Sequence, residues 1–225
     1  MRCIFIIAGS THFPLSKAFQ RAYTTAPGYV LIINNHTCSD PHHSKEFFAH
    51  KFGFETREDI NLTKRAMLKV LTDTARRDFS TNDCFFCIVV SHGTADGICG
   101  TDNKSIEIER ITSLFCPKIC PSLKGKPKIF LIEATGGETW KRLGYLKWRK
   151  VKSNSYVPQR PVISEEDFLV SCASSASHSS LFNLLGTGME LMDAINATDT
   201  EQLWLVSTIK RKVFLNREVF RFQQR

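Results

Sequence analysis

The sequence predicts an α/β domain whose central sheet is mostly parallel and is covered by helices on both faces. Two observations carry this prediction: short apolar runs typical of buried strands recur along the chain, and segments with helical periodicity separate them. The runs are Tyr29 to Asn34, Cys84 to Val90, Lys128 to Ile132 and Phe168 to Cys172. Because strands that alternate with helices need crossover connections, the strands are expected to lie parallel in one sheet.

The predicted helices follow from apolar residues spaced three and four apart. Shorter helices are predicted over Ser44 to Lys51 and Glu107 to Phe115. The longest helix spans residues 62–79 and places four apolar side chains on one face, namely Leu68, Leu71, Ala75 and Phe79.

A last helix is predicted to begin at Thr198. Thr198 and Glu201 have the spacing of a capping box, in which each side chain satisfies a backbone N–H at the helix start. Apolar residues then recur every four positions, at Leu205, Ile209 and Val213.

The composition indicates one domain in a reducing compartment. A chain of 225 residues with 42% hydrophobic content is long enough to bury one sizeable core. Its eight cysteines are spread through the chain without a convincing secretory signal, so reduced thiols and a cytoplasmic location are expected. Within an N-terminal extension of residues 1–22, the apolar run from Cys3 to Ala8 is too short to span a membrane; an extra or edge strand is the simpler interpretation.

The positive charge does not point to a nucleic-acid partner. The net charge of +8 and the pI of about 9.1 come without a zinc knuckle, a recognition-helix pattern or a basic stripe interleaved with aromatic residues. Residues 138–165 hold much of this charge together with prolines and serines, and they are interpreted as a solvated basic linker. We therefore expect neither nucleic acid nor membrane among the partners.

No metal or cofactor site is predicted. Cys84 and Cys87 lie within one strand pattern, where residues three apart point to opposite faces of a sheet. Cys116 and Cys120 lack a matched second pair of ligands.

Two short motifs mark a candidate site. Ser91-His92-Gly93 follows one strand-like run, and Glu133-Ala134-Thr135-Gly136-Gly137 contains the end of another. Both lie at carboxyl ends of predicted parallel strands, where open α/β sheets place their sites. His92 precedes Thr135 by 43 positions, close to the spacing of roughly 50 residues between the histidine and the Q-A-C-x-G motif of caspases.

Further segments extend the similarity over residues 23–220, in the order in which the caspase family has them. They include Phe52-Gly53-Phe54, Asp59-Ile60-Asn61-Leu62-Thr63, Gly97-Ile98-Cys99-Gly100-Thr101-Asp102, Cys120-Pro121-Ser122-Leu123-Lys124-Gly125-Lys126-Pro127-Lys128, Asp167-Phe168-Leu169 and Lys210-Arg211-Lys212-Val213. The chain thus resembles the caspase family. The resemblance implies a three-layer sandwich, with residues 23–137 similar to the large subunit, 138–165 to the linker, and 166–225 to the small subunit.

The resemblance assigns roles to three residues of the candidate site. His92 matches the general base, Gly93 the residue whose N–H helps to form the oxyanion hole, and Thr135 the position of the cysteine nucleophile. A hydroxyl is a far weaker nucleophile than a thiolate, so turnover by Thr135 is not expected. Two other cysteines, Cys99 and Cys172, are interpreted as packing residues.

The aspartate pocket of the family is also changed. Caspases hold an aspartate side chain with two arginines and the glutamine of the active-site motif. Here Glu133 replaces the glutamine, and alignment from Asp167 places Leu181 and Phe182 at the pocket tryptophan and second arginine. The segment from His36 to Ser44, which matches the loop of the first arginine, contains none.

These changes predict a degenerate caspase relative that lacks the catalytic cysteine and acts by binding caspases or apoptosis regulators, as a decoy or an activating partner. The alternatives are a cysteine or threonine peptidase of altered specificity, and a structural protein that retains only the fold.

The linker lacks aspartate, so we expect it to stay uncleaved. The sequence ends at Arg225, shortly after the segment Lys210 to Val213, and no segment matches the final strand with which caspases pair in their dimer, so we expect a monomer in isolation that can form a heterodimer.

Overall fold

The computed structural model describes residues 6–7, 22–23, 25–36, 42–94, 97–135, 166–173, 178–198 and 202–215. Their strands are β1 (Ile6–Ile7), β2 (Gly28–Asn34), β3 (Glu55–Ile60), β4 (Cys84–Thr94), β5 (Gly97–Cys99), β6 (Ser105–Ile106), β7 (Lys128–Thr135), β8 (Phe168–Ala173) and β9 (Gln202–Ser207). Their α-helices are α1 (His42–Glu46), α2 (Lys64–Ala75), α3 (Ile108–Ser113), α4 (His178–Gly186) and α5 (Leu191–Ala197); a π-helical turn (Phe47–Lys51) continues α1, and a 3-10 turn covers Pro121–Leu123.

Seven of these strands form a sheet in the order β1-β9-β8-β7-β4-β2-β3. Every neighbouring pair along this path is parallel except β8 and β9, which run antiparallel. The inner strands β2, β7 and β8 are buried almost throughout, as expected for strands covered on both faces. The predicted fold class, a mostly parallel sheet between two helical layers, is confirmed.

Two separate apolar clusters fill the space between the sheet and its helices. The first face of the sheet packs against α2 and α3, with Met67, Leu71 and Ile111 fully buried. The second face packs against the π-helical turn, α4 and α5, and is rich in phenylalanine. Cys84 belongs to the second cluster and Cys87 to the first, so the prediction that they point to opposite faces is confirmed.

Helix α2 is shorter than its apolar pattern indicates, because its ends are set by caps. The Thr63 hydroxyl accepts a hydrogen bond from the Ala66 N–H at 3.3 Å, which fixes the start of the helix. Phe79 lies beyond the helix end but is fully buried in the first cluster. A buried side chain after a helix thus continues the apolar pattern without continuing the helix.

The helix predicted from Thr198 is wrong. Residues 202–207 form β9, which pairs antiparallel with β8 from Leu169↔Ser207 to Ala173↔Gln202. Apolar residues four apart also share one face of a strand, because four is twice the strand period, so the pattern did not distinguish the two structures. Leu205 is buried in the second cluster, and pairing with β8 satisfies the backbone groups along the inner edge of β9.

The expectation that the small-subunit-like part lacks the final dimer-interface strand concerns the segment after Val213 and stays a prediction, because residues 216–225 lie outside the described part of the chain. Of the N-terminal apolar run, interpreted as an extra or edge strand, the described residues Ile6–Ile7 form β1, which pairs in parallel with β9 at one end of the described strand order. Most of the N-terminal extension, the whole of the predicted linker 138–165 and residues 216–225 lie outside the described residues.

Buried polar contacts hold the segment after β9 against the rest of the domain. The Glu190 carboxylate accepts hydrogen bonds from the N–H groups of Val213 at 2.9 Å, Met192 at 2.9 Å and Asp193 at 3.2 Å. Glu190 thus caps α5 and binds the segment at the same time. The Tyr23 hydroxyl donates to Asp167, and the Tyr23 backbone N–H donates to the Lys212 carbonyl at 2.9 Å.

Candidate functional site

His92 and Thr135 lie side by side at the carboxyl ends of β4 and β7. These strands are parallel, and His92 is the register partner of Thr135, as Val90 is of Glu133. Because register partners in a sheet point to the same face, the His92 and Thr135 side chains both lie on the side of the phenylalanine-rich cluster. His92 is exposed and Thr135 is half-buried. The two residues that the sequence motifs singled out are thus brought together.

The Thr135 hydroxyl donates a hydrogen bond of 3.4 Å to the backbone carbonyl of Ser91. Within the described part of the chain, no hydrogen bond joins the His92 imidazole to Thr135. A hydroxyl becomes an effective nucleophile when a neighbouring base accepts its proton. Here the proton points to a neutral carbonyl oxygen, which cannot serve as a base.

A polar network that the sequence motifs did not reveal supports the end of β4. The Ser91 hydroxyl donates to the Cys99 carbonyl at 2.6 Å, and the Asn35 amide donates to the same oxygen at 3.4 Å. Asn35 also bonds both backbone groups of Leu62, at 3.2 Å to the carbonyl and 2.7 Å from the N–H. One asparagine therefore holds β2, β5 and the start of α2 together beside His92. The position of Asn35 directly after a buried strand was the one feature of the sequence that could have indicated this role.

Gly93 continues β4 beyond His92. It is buried and pairs with Ile98 of β5 in the short antiparallel hairpin. The predicted oxyanion-hole residue therefore lies next to the histidine in an extended segment that is fixed by a second strand.

The three residues predicted to form the altered pocket lie on the same side of the sheet. Glu133 precedes Thr135 by two positions, faces the phenylalanine-rich side and is buried. Leu181 and Phe182 belong to α4 and are each 5% exposed within the second cluster. Of the segment matched to the first arginine, residues 37–41 lie outside the described part of the chain.

The Phe182 ring is embedded among other aromatic rings. It stacks on Phe47 with ring centroids 5.2 Å apart and an interplanar angle of 20°, and it meets Phe48 edge to face at 5.3 Å and 80°. Both geometries are favourable for aromatic pairs. The position matched to the second arginine is thus part of the apolar core, and it offers no hydrogen-bond donor to a carboxylate.

The two alternative cysteines are both buried. Cys172 lies in β8, and burial raises the pKa of its thiol well above the usual value, which disfavours the reactive thiolate. The Cys99 thiol donates to the Thr94 hydroxyl at 3.8 Å. These surroundings fit packing residues, as the sequence predicts.

Other parts of the described chain do not add a membrane-spanning element. Among the helices described, none combines the length and the apolar character required to cross a bilayer.

Comparison with known proteins identifies the family. The family model described as "Caspase domain" matches residues 27–192. The chain is 33% identical to "Caspase-8" of Mus musculus over 136 residues, which cover 51% of this chain and 28% of that protein. It is 43% identical to "Caspase-6" of Gallus gallus over 86 residues (38% and 28%), and 37% identical to "Caspase-3" of Oryctolagus cuniculus over 84 residues (37% and 30%).

The matched segments thus span less than a third of the length of these relatives, whereas the family model covers most of the sheet and its helices. The family model alone covers well over half of the chain. The chain belongs to the caspase domain family.

Proposed function

We propose that this chain is a caspase relative without peptidase turnover, and that it modulates apoptosis by binding active caspases or their regulators in the cytoplasm. The observation that carries the proposal is the hydrogen bond from the Thr135 hydroxyl to the Ser91 carbonyl at the position of the family nucleophile. A caspase needs a thiolate there, and a threonine beside an unconnected histidine does not supply an equivalent group.

The altered pocket supports the same proposal through a different step. A peptide aspartate needs cationic or neutral donors to compensate for its desolvation. Glu133 is a second carboxylate near that position, and Phe182 is packed against Phe47 and Phe48. Repulsion by Glu133 and the lack of a donor at Phe182 would each weaken binding of a peptide aspartate, whatever residue stands at the nucleophile position.

The proposed partners are proteins, and the chain acts on them as a monomer that forms a heterodimer. A decoy that inhibits and a partner that activates both fit this mode of action. No cofactor or metal is required in either case, because the proposed role depends on surface contact alone.

A peptidase of altered specificity is the second candidate, and one observation favours it. His92 is exposed and lies in register with Thr135, so the base and the hydroxyl remain close enough for a substrate to bring them together.

Variants of these two residues separate the candidates. Purified protein with Thr135→Ala or His92→Ala is compared with the parent for binding to a purified active caspase and for its effect on hydrolysis by that caspase. We expect both variants to bind and to alter hydrolysis as the parent does. Loss of the effect in both variants, with unchanged folding by circular dichroism, would favour the peptidase.

A further inference from the structure

Among the cysteines that the structure describes, Cys116 differs from the others because its side chain is partly exposed. The remaining five are buried: Cys84, Cys87, Cys99, Cys120 and Cys172. Cys116 and Cys120 both lie in the segment between α3 and the amino end of β7, four positions apart. Oxidation of a thiol requires that the oxidant can reach it. Within the described residues, Cys116 is therefore the cysteine that a small oxidant reaches first.

The backbone places the two cysteines on one side of a single helical turn. The Cys116 carbonyl accepts hydrogen bonds from the Ile119 N–H at 2.9 Å and from the Cys120 N–H at 2.8 Å. The first bond is of the 3-10 type and the second of the α-helical type. Side chains four apart on such a turn are neighbours, with Cβ atoms about 5–6 Å apart. A disulfide needs Cβ atoms about 3.5–4.5 Å apart, so a modest tightening of this turn closes the bond.

The part of the turn that carries Cys120 is fixed, and the part that precedes it faces solvent. Cys120 leads into the 3-10 turn Pro121–Leu123, where the Ser122 hydroxyl accepts a hydrogen bond from the Phe79 N–H at 3.0 Å and Leu123 is fully buried. Lys118 is exposed, and the Ile119 side chain is 51% exposed. The tightening can thus be taken up by solvent-facing residues, without opening the first cluster.

We propose that Cys116 and Cys120 form a reversible dithiol–disulfide site that hydrogen peroxide oxidises. The Cys116 thiolate attacks a peroxide oxygen and the O–O bond breaks, so that Cys116 becomes a sulfenic acid and the leaving hydroxide takes the thiol proton to form water. The Cys120 thiol then attacks the Cys116 sulfur. The S–O bond breaks, and the second hydroxide leaves as water with the Cys120 proton. Two thiols and one peroxide thus give one disulfide and two molecules of water.

The surroundings of the two thiols assign the order of these steps. Burial raises the pKa of the Cys120 thiol, which disfavours first attack by Cys120. As the second nucleophile it has polar neighbours, because its sulfur lies 3.9 Å from the Ser122 hydroxyl and the Lys128 ammonium favours its thiolate. A disulfide closed within one tightened turn is strained and is therefore readily reduced again. The site lies away from His92 and Thr135 and does not depend on whether they catalyse a reaction.

Tryptic mapping tests the bond directly, because Lys118 lies between the two cysteines. The full chain is treated with hydrogen peroxide, its remaining thiols are blocked with N-ethylmaleimide, and trypsin releases the peptides 111–118 and 119–124. We expect a species with the summed mass of these two peptides less two hydrogen atoms, which dithiothreitol removes. Cys172→Ala is the control and should give the same species. Oxidation of the chain without joining these two peptides would overturn the proposal.

Single variants test the order of the steps. Cys120→Ser leaves a sulfenic acid at Cys116 that dimedone traps, whereas Cys116→Ser leaves only the buried thiol of Cys120. We expect dimedone labelling of this peptide pair to be roughly tenfold or more faster in Cys120→Ser than in Cys116→Ser, because reactivity follows thiol access. Circular dichroism checks that both variants fold, and the mapping of the parent chain decides if one of them does not. Equal labelling of the two folded variants would overturn the assigned roles.

Discussion

His92 and Thr135 are register partners at the carboxyl ends of two parallel strands, yet the hydroxyl of Thr135 donates to the Ser91 carbonyl. The arrangement keeps a base and a hydroxyl adjacent without joining them. Whether this site can attack a substrate therefore depends on the residue type at position 135, and on whether a bound ligand would redirect the Thr135 hydroxyl toward His92.

The parent protein is expected not to hydrolyse aspartyl tetrapeptide reporters and not to react with thiol-directed caspase probes. A hydroxyl that donates to a carbonyl is not activated, and the described cysteines near the site are buried. Fluorescence of the released reporter measures turnover, with an active caspase as the positive control. Hydrolysis above buffer that disappears in His92→Ala would contradict the prediction.

Restoring the thiol alone is expected to give no aspartate-directed peptidase. Thr135→Cys leaves Glu133 near the substrate carboxylate and leaves both arginines absent. Activity should appear only after Glu133→Gln, an arginine near position 182 and a rebuilt loop between His36 and Ser44 are combined, because the clamp acts as a unit. A reporter assay on the stepwise series measures this. Substantial hydrolysis by the single Thr135→Cys protein would show that the pocket is misassigned.

The pocket revertant should itself be less stable. Phe182→Arg removes a ring that stacks on Phe47 and meets Phe48 edge to face, and it buries a charge, which we expect to cost on the order of 3 kcal/mol or more of unfolding free energy. Phe182→Leu is the matched control, since it keeps an apolar side chain and should lose much less. Urea unfolding followed by circular dichroism compares the two. Equal stability of both variants would be incompatible with a buried position.

The chain is expected to remain one polypeptide of 25.6 kDa when it is incubated with an active executioner caspase. No aspartate occurs between Asp102 and Asp167, so the segment matched to the family linker offers no cleavage site after aspartate. Gel electrophoresis and intact mass measure the outcome. Two stable fragments produced by a cut within residues 138–165 would argue against it.

Glu190 should contribute strongly to stability because its carboxylate accepts three backbone N–H groups while 6% exposed. Glu190→Ala leaves these donors without a partner and is expected to lower the unfolding free energy by about 2 to 3 kcal/mol. Asn196→Ala, at an exposed position of the same helix, is the control and should change it by less than about 0.5 kcal/mol. Denaturant titration measures the unfolding free energy of both variants. Similar losses in the two would contradict the capping role of Glu190.

Stability should also fall at high pH through Tyr23. Burial and the hydrogen bond to Asp167 raise the pKa of Tyr23 to about 12, above its ordinary value near 10. Between these two values the folded chain retains a proton that the unfolded chain releases, so the unfolding free energy declines as pH rises. Tyr23→Phe lacks this proton and should show a shallower decline over the same interval. Thermal melting at a series of pH values measures the stability of both proteins. If their stabilities decline equally with pH, Tyr23 does not contribute.

The buried strands, α2 and the pairing of His92 with Thr135 were predictable from the sequence, because each depends on a continuous apolar run or on the position where that run ends. Strand β3 was not predicted, since most of its side chains are charged and only its backbone pairing with β2 makes it a strand. Helices α4 and α5 were missed because they are short and are stabilised mainly by contacts with the second cluster.

The error after Thr198 has a different origin. Its apolar spacing of four residues fits a helix and a strand equally, and the choice is made by the free edge of β8, which lies far away in sequence. The roles of Asn35 and Ser91 were likewise invisible, because their hydrogen bonds join segments that only the folded sheet brings together.

The stacking of Phe182 on Phe47 has a consequence for the history of this chain. The Phe182 ring is buried against Phe47 and Phe48, so replacing it with arginine would be opposed by a loss of stability even before any activity is measured. Selection for a folded protein alone would therefore oppose an arginine at position 182, and with it an aspartate-binding pocket of the caspase kind. Descendants of this sequence would more easily gain new binding surfaces than recover the old specificity.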